Sequence, residues 1–143
     1  MKLRDIMTKQ VVRIHPEETV TVAARMLEHN NIGAMPVCGN DGRLCGMITD
    51  RDIVIRCLAS GRKPDTTSVR EVMTTKVYVA RPDMDVSMVA GLMGREQIRR
   101  LPVMDKGKLC GMISIGDLAE REESGLDAAE ALTGISSRLS SRE

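Results

Sequence analysis

Two short segments of this 143-residue chain carry the residue types from which a polar binding site could be built. Gly46-Met47-Ile48-Thr49-Asp50-Arg51-Asp52 places a hydroxyl three residues before a carboxylate, and Gly111-Met112-Ile113-Ser114-Ile115-Gly116-Asp117 repeats the arrangement. Thr49-x-x-Asp52 and Ser114-x-x-Asp117 have the spacing of a helix capping box, with the hydroxyl at the N-cap and the acid at N3. Such a turn has a further capacity. The first N–H groups of a helix attract phosphate, and a carboxylate beside them can accept both hydroxyls of a ribose. A nucleoside grip and a plain helix cap are therefore both open from these residues. A second segment, Ile98-Arg99-Arg100-Leu101-Pro102-Val103, brings two cations beside an apolar strand. The matching residues Gly33 and Ala34 bring none. Arginine suits phosphate oxygens because it donates bidentately, although paired arginines also serve as a solvated face. Arg51 could act on an anion in the same way or pair with a neighbouring acid.

These residues sit in a chain that repeats itself. Arg4-Asp5-Ile6-Met7-Thr8 returns as Arg70-Glu71-Val72-Met73-Thr74, Pro16 as Pro82, and Pro36-Val37 as Pro102-Val103. Residues 42–53 return as 107–118 after the loss of one residue in a turn, and 17 of 47 aligned pairs are identical, which is far above chance. Each copy of about 60 residues is too small to be comfortable alone, so a shared core is expected. Val11–Ile14 predicts a strand ended by His15-Pro16. Thr19 predicts the N-cap of a helix over about 20–30, with Val20, Ala23, Ala24 and Leu27 as its buried face. Strands at 34–38 and 44–48 flank the turn Asn40-Asp41-Gly42, and a helix over about 50–60 closes at Gly61. The second copy predicts a strand at 77–80, a helix over 86–95, strands at 100–104 and 109–113 around Asp105-Lys106-Gly107, and a helix over 115–123. The order is β-α-β-β-α twice. The expected division is a first domain over 1–61, a linker over 62–68, a second domain over 69–123 and a tail over 124–143. In the tail Leu126, Ala129, Leu132, Ile135 and Leu139 could form the stripe of a weak helix, with a fraying end at Ser136, Ser137, Ser140 and Ser141, or the tail could be disordered.

Composition narrows the function classes. Hydrophobic residues make up 42% and charged residues 29%, the balance of a soluble globular protein, and the net charge is +1. A chain that grips nucleic-acid backbones usually carries a larger basic excess. Tyr78 is the single aromatic residue, so stacking on bases is excluded as the main recognition mode, and eleven Met residues point to an adaptable aliphatic core. Cys38, Cys45, Cys57 and Cys110 form no Cys-x-x-Cys pair, only His15 and His29 could assist them, and neither a metal site nor a nucleophile–base pair is expected. They read as half-buried thiols in a reducing cytoplasm. No signal-peptide or membrane-length apolar run is visible.

Taken together, the doubled β-α-β-β-α unit, the Met-Thr near its start, the Pro-Val strand and the closing Gly-Met-Ile-Thr/Ser-x-x-Asp motif resemble a tandem pair of cystathionine-β-synthase (CBS) domains, the Bateman module, over about residues 1–120. Thr49-Asp50-Arg51-Asp52-Ile53 and Ile98–Val103 are similar to the small bacterial proteins built from one such pair with no attached enzyme. The resemblance implies an α+β fold in which two repeats pack as an intramolecular pseudo-two-fold pair. It implies a non-catalytic regulatory module that binds an adenosyl ligand such as AMP, ADP, ATP, S-adenosylmethionine or NAD in clefts between the repeats. Asp52 and Asp117 would hold the ribose, Thr49, Ser114 and Arg51 would lie near ribose or phosphate, and Arg99 and Arg100 would meet phosphates. Ile32, Met35, Pro36, Ile98, Leu101 and Pro102 would hold the base. No metal or resident cofactor is implied. A homodimer in the cytoplasm is the default, with a regulated protein as a further partner and neither nucleic acid nor membrane. The competing reading is a protein-interaction scaffold whose clefts are vestigial.

Overall fold

The computed structural model describes residues 1–120 and 132–135. The chain forms two compact units that do not follow the order of the repeats. One, here the Asp52 unit, takes Val11–Val77 with Gly107–Leu109; the other, the Asp117 unit, takes Met1–Gln10, Tyr78–Lys106 and the chain from Cys110 onward.

In the Asp52 unit, α1 (Val20–Asn30) starts where the Thr19 hydroxyl accepts a hydrogen bond from the Val22 N–H at 3.2 Å. It ends at Asn31 in the left-handed region (φ 52°), and the Ile32 N–H returns to the Leu27 carbonyl at 3.0 Å. Val20, Ala23 and Leu27 are buried, but Ala24 is exposed, so the apolar face is narrower than its spacing suggested. Strands β1 (Ala34–Cys38) and β2 (Leu44–Thr49) form an antiparallel hairpin, in register from Ala34↔Thr49 to Val37↔Gly46 and then bulged. The expected strand at 11–14 is reduced to one parallel bridge, Ile14↔Val37, because His15-Pro16 turns the chain before a ladder can extend. The helix after β2 starts as α2 (Asp50–Asp52) and continues π-wound over Ile53–Leu58. A short helix, α3 (Val69–Val72), follows the segment that reads as a linker.

The second repeat follows this plan with α4 (Val86–Glu96), β3 (Arg100–Asp105), β4 (Lys108–Ser114) and α5 (Ile115–Ala119), and all of these but Lys108 and Leu109 fall in the Asp117 unit. The turn between β3 and β4 has Lys106 and Gly107 at positive φ, as the Asp-Lys-Gly sequence predicts. Here too the strand expected at 77–80 is one bridge, Ala80↔Val103. Residues 132–135 are helical; the Gln97 side chain donates to the Gly134 carbonyl at 3.3 Å and Ile135 is buried. A Cβ on Gly134 would lie 2.8 Å from the Gly94 carbonyl oxygen, so α4 accepts this piece of tail only because it is small. Leu126, Ala129 and Leu139 of the expected stripe, the four tail serines and the end of the helix expected over 115–123 lie outside the described residues.

The expected shared core takes an unexpected form. There are two apolar cores, and each draws on both repeats. Leu3 and Ile6, from the start of the first repeat, pack with Val89, Met93, Leu101 and Ile113 of the second. Val69, Val72 and Met73, from the start of the second, pack with Leu27, Met35, Val37 and Ile48 of the first. The leading segments are thus exchanged. Thr8 bridges Met112 and Thr74 bridges Met47, each through two backbone hydrogen bonds of 2.8–2.9 Å. The exchange explains the glycine that opens each motif: a Cβ on Gly46 would overlap the Thr74 carbonyl oxygen, and one on Gly111 would lie 2.6 Å from the Met7 sulfur.

Candidate functional site

Each Thr/Ser-x-x-Asp turn forms a reciprocal capping box. The Asp52 N–H donates to the Thr49 hydroxyl at 3.0 Å and the Thr49 N–H to Asp52 Oδ2 at 3.1 Å. In the second copy the Asp117 N–H donates to Ser114 Oγ at 3.1 Å and the Ser114 N–H to Asp117 Oδ2 at 2.8 Å. The cap holds each carboxylate at the start of its helix rather than on its outer face.

The end of the preceding helix sets the next group of residues. The tight returns after α1 and α4 deliver Gly33 and Arg99 to the same turns. The Gly33 carbonyl accepts from the Asp50 N–H at 2.9 Å, and the Arg99 carbonyl accepts from the Ile115 N–H at 2.9 Å. Arg99, Arg100, Ser114 and Asp117 therefore belong to one region of the Asp117 unit. Arg99 and Arg100 are exposed, and neither guanidinium has an ion-pair or hydrogen-bond partner among the described residues. Asp117 is half-buried, and its Oδ1 likewise has none. Ile98 is half-buried, Pro102 is buried, and Leu101 is part of the core.

The Asp52 unit brings together the same positions with different neighbours. Ile32 is half-buried, Pro36 is buried and Met35 is fully buried in the core. Arg51 is exposed, and its N–H donates to Asp50 Oδ1 at 2.7 Å. Asp52 itself is only 7% exposed. Two residues that sequence reasoning missed close on it. The Thr74 hydroxyl lies 3.1 and 3.2 Å from its two oxygens, and Arg56 Nε lies 3.8 Å from Oδ1. Arg56 also donates through Nη1 to the Val72 and Met73 carbonyls at 3.3 and 3.0 Å. The signal for Thr74 was present in the repeat, since Met-Thr is kept in both copies, but its partner lies in the other repeat. Arg56 follows Asp52 by one helical turn, a spacing that reads as an ordinary surface ion pair.

An open cleft of about 500 Å³ is lined by Ala24, Leu27 and Glu28 of α1, Ile32 and Gly33 of the return after it, and Asp50, Ile53 and Val54 of the helix after β2, among others. On the π-wound helix Val54, Ile55 and Leu58 are 52%, 50% and 53% exposed. The four thiols are free, and burial pushes those of Cys38 and Cys110 up, away from the reactive thiolate form. Among the described residues no three His, Cys, Asp or Glu side chains gather as a metal site, and no helix is long and apolar enough to cross a membrane.

Comparison with known proteins places this architecture. The family model for the CBS domain matches residues 3–58 and again 69–124. The chain is 42% identical over 134 residues to the CBS domain-containing protein YhcV of Bacillus subtilis, covering 94% of each. It is 39% identical over 116 residues to Hypoxic response protein 1 of Mycobacterium tuberculosis, covering 81% of each. A crystal structure of Hypoxic Response Protein I with two coordinated zinc ions superposes with a TM-score of 0.78 at 37% identity, over 85% of this chain and 98% of that one. The CBS domain pair of protein MJ0100, in complex with 5-methylthioadenosine and S-adenosyl-L-methionine, superposes with a TM-score of 0.74 at 30% identity, over 84% of this chain and 94% of that one. CBS domain pairs are regulatory modules and in general non-catalytic, and their small sheets flanked by helices form the α+β architecture seen here. With two matched domains in tandem and relatives that share nearly its whole length, the chain belongs to the CBS-domain family as a tandem CBS, or Bateman, module.

Proposed function

We propose that the chain is a regulatory module that binds an adenosyl compound of the AMP, ADP or ATP type and carries out no chemistry of its own. The observation that carries this is the Asp117 region. A capped carboxylate whose Oδ1 has no partner among the described residues, with a hydroxyl beside it, sits at the turn that the Arg99 carbonyl contacts, and the exposed Arg99 and Arg100 side chains have no partner among the described residues. Asp117 accepts the ribose hydroxyls, Ser114 lies near ribose or phosphate, and Arg99 and Arg100 take the phosphates by charge-assisted hydrogen bonds. Ile98 and Pro102 offer the apolar surface for the base, over Leu101. In the other repeat Asp52, Thr49 and Arg51 play the corresponding parts, with Ile32 and Pro36 above Met35. The adenosyl ligands named for the MJ0100 domain pair support this ligand class. A cytoplasmic homodimer that signals to another protein completes the proposal.

The test is isothermal titration of the full chain with AMP, ADP, ATP, S-adenosylmethionine and NAD, with GTP as control. Saturable binding of an adenosyl compound but not GTP is the expected result. A ligand at a hundred times its Kd adds about 2.7 kcal/mol of stability, which a parallel melting experiment reads directly. Absence of binding by all five overturns the proposal. The second reading, an interaction scaffold, draws on the exposed Val54, Ile55 and Leu58 row. It predicts unchanged partner capture when Asp117 is replaced by Ala.

A further inference from the structure

Asp52 and Asp117 occupy the same place in their repeats but not the same chemical situation. Asp117 accepts from the Ser114 N–H alone among the described residues. Asp52 accepts from the Thr49 N–H and from the Thr74 hydroxyl, and the Arg56 guanidinium stands over Oδ1. Only 7% of the residue reaches solvent. A ribose diol needs both carboxylate oxygens and an approach to them, so at Asp52 something must move first.

The two closing groups are not equally free to move. Thr74 is fixed by its backbone pairing with Met47 in both directions. The Arg56 side chain is 51% exposed, sits on a long flexible stem, and its 3.8 Å approach to Asp52 is an ion pair too long for a hydrogen bond. Its firmer contacts are the Val72 and Met73 carbonyls at the end of α3, groups that a helix leaves without internal partners. The helix under Arg56 is also unusual. The Ala59 N–H reaches the Val54 carbonyl at 2.8 Å and the Arg62 N–H the Cys57 carbonyl at 3.0 Å, each five residues back. Such π turns are rare and concentrate at functional positions. Here the wide turn carries the guanidinium that spans Asp52 and the end of α3.

We propose that Arg56 is an internal competitor at Asp52. Its guanidinium lies over the carboxylate that an adenosyl ligand would engage, and the Asp52 position fills only when Arg56 swings out to solvent. Arg56 thereby weakens binding at Asp52, for a reason separate from the missing cations at Gly33 and Ala34. The inference rests on the adenosyl reading above and concerns Asp52 alone; Arg121, at the same spacing from Asp117, lies outside the described residues.

The experiment titrates AMP, ADP, ATP and S-adenosylmethionine into three full-length proteins: wild type, Asp117→Ala, and Asp117→Ala with Arg56→Ala. Removing Arg56 is expected to tighten binding at Asp52 by about tenfold, the scale of one half-exposed ion pair and its accompanying hydrogen bonds. Arg56→Gln, which keeps a polar stem without the charge, should give an intermediate gain and carries the test if the Ala variant does not fold. Equal or weaker binding without Arg56 overturns the inference, weaker binding making Arg56 a cation that holds the ligand. Binding by wild type with none in either Asp117→Ala protein also overturns it and leaves the adenosyl reading standing. No binding by wild type removes both.

Discussion

The Asp52 and Asp117 turns are copies of one motif, and they differ in what surrounds their carboxylates. Both have a hydroxyl N-cap, a reciprocal capping box and a glycine under the exchanged Met-Thr segment. Around Asp52 the neighbours are a hydroxyl and a guanidinium from within the same unit. Around Asp117 the Arg99 and Arg100 side chains are left without partners among the described residues. Duplication kept the frame, the Met-Thr segment and an arginine four residues after each aspartate, whereas Arg99 and Arg100 stand where the first copy has Gly33 and Ala34. The capping motif alone therefore does not say which position binds.

The difference is broken most severely at the glycines. A Cβ on Gly46 runs into backbone, the Thr74 carbonyl, which cannot yield without losing the Met47 pairing. At Gly111 the nearest atom is the flexible Met7 sulfur, with the Thr8 carbonyl oxygen at 3.0 Å. Gly46→Ala should cost about 3 kcal/mol and Gly111→Ala about 1–2 kcal/mol in urea denaturation, as overpacking generally does. Equal losses would mean that the two exchanged segments are seated alike.

A smaller effect separates the two threonines. Thr74→Val removes the hydroxyl from a nearly buried carboxylate and should cost about 1–2 kcal/mol, whereas Thr8 is exposed and its hydroxyl has no partner among the described residues. Thr8→Val should change stability by less than about 0.5 kcal/mol. A Thr8→Val loss matching that of Thr74→Val would contradict the unequal surroundings of the two carboxylates.

The smallest effect concerns acid. Glu71 caps α3 by accepting from the Ser68 N–H at 2.7 Å, and this bond, before its pairing with Arg62, holds its carboxyl below the ordinary glutamate range. A carboxyl lowered in the folded state stabilises above its unfolded pKa and loses that contribution as pH falls through the folded value. The stability of wild type should therefore fall below about pH 4.5 more steeply than that of Glu71→Gln. Parallel acid titrations of both proteins, followed by circular dichroism, check this; superimposable curves would show that the α3 cap is inert.

What was legible in the sequence was what is local. Thr19 before an apolar 3.6-residue pattern, Gly107 in a hairpin turn, and the hydroxyl–acid spacing at 49–52 and 114–117 each depend on a few adjacent residues, and each forms as expected. The exchange of leading segments was not legible, because Thr74 and Met47 meet through packing that no periodicity encodes. For the same reason Thr74 and Arg56 were absent from the expected neighbours of Asp52. Ala24 matched the helical spacing yet lines an open cleft, since spacing reports a face but not what covers it. Met35 and Leu101, expected against a base, are fully buried members of the two cores, a depth that their place in a strand pattern does not announce.

The most direct measurement compares Asp117→Ala with Asp52→Ala by isothermal titration with AMP, beside wild type. Unequal carboxylates predict a loss of at least about tenfold in affinity for Asp117→Ala, the weight of hydrogen bonds to a charged acceptor, and a clearly smaller loss for Asp52→Ala. If the two variants lose affinity equally, or if Asp117→Ala binds AMP as wild type does, the available position is not at Asp117 and the distinction between the two repeats falls.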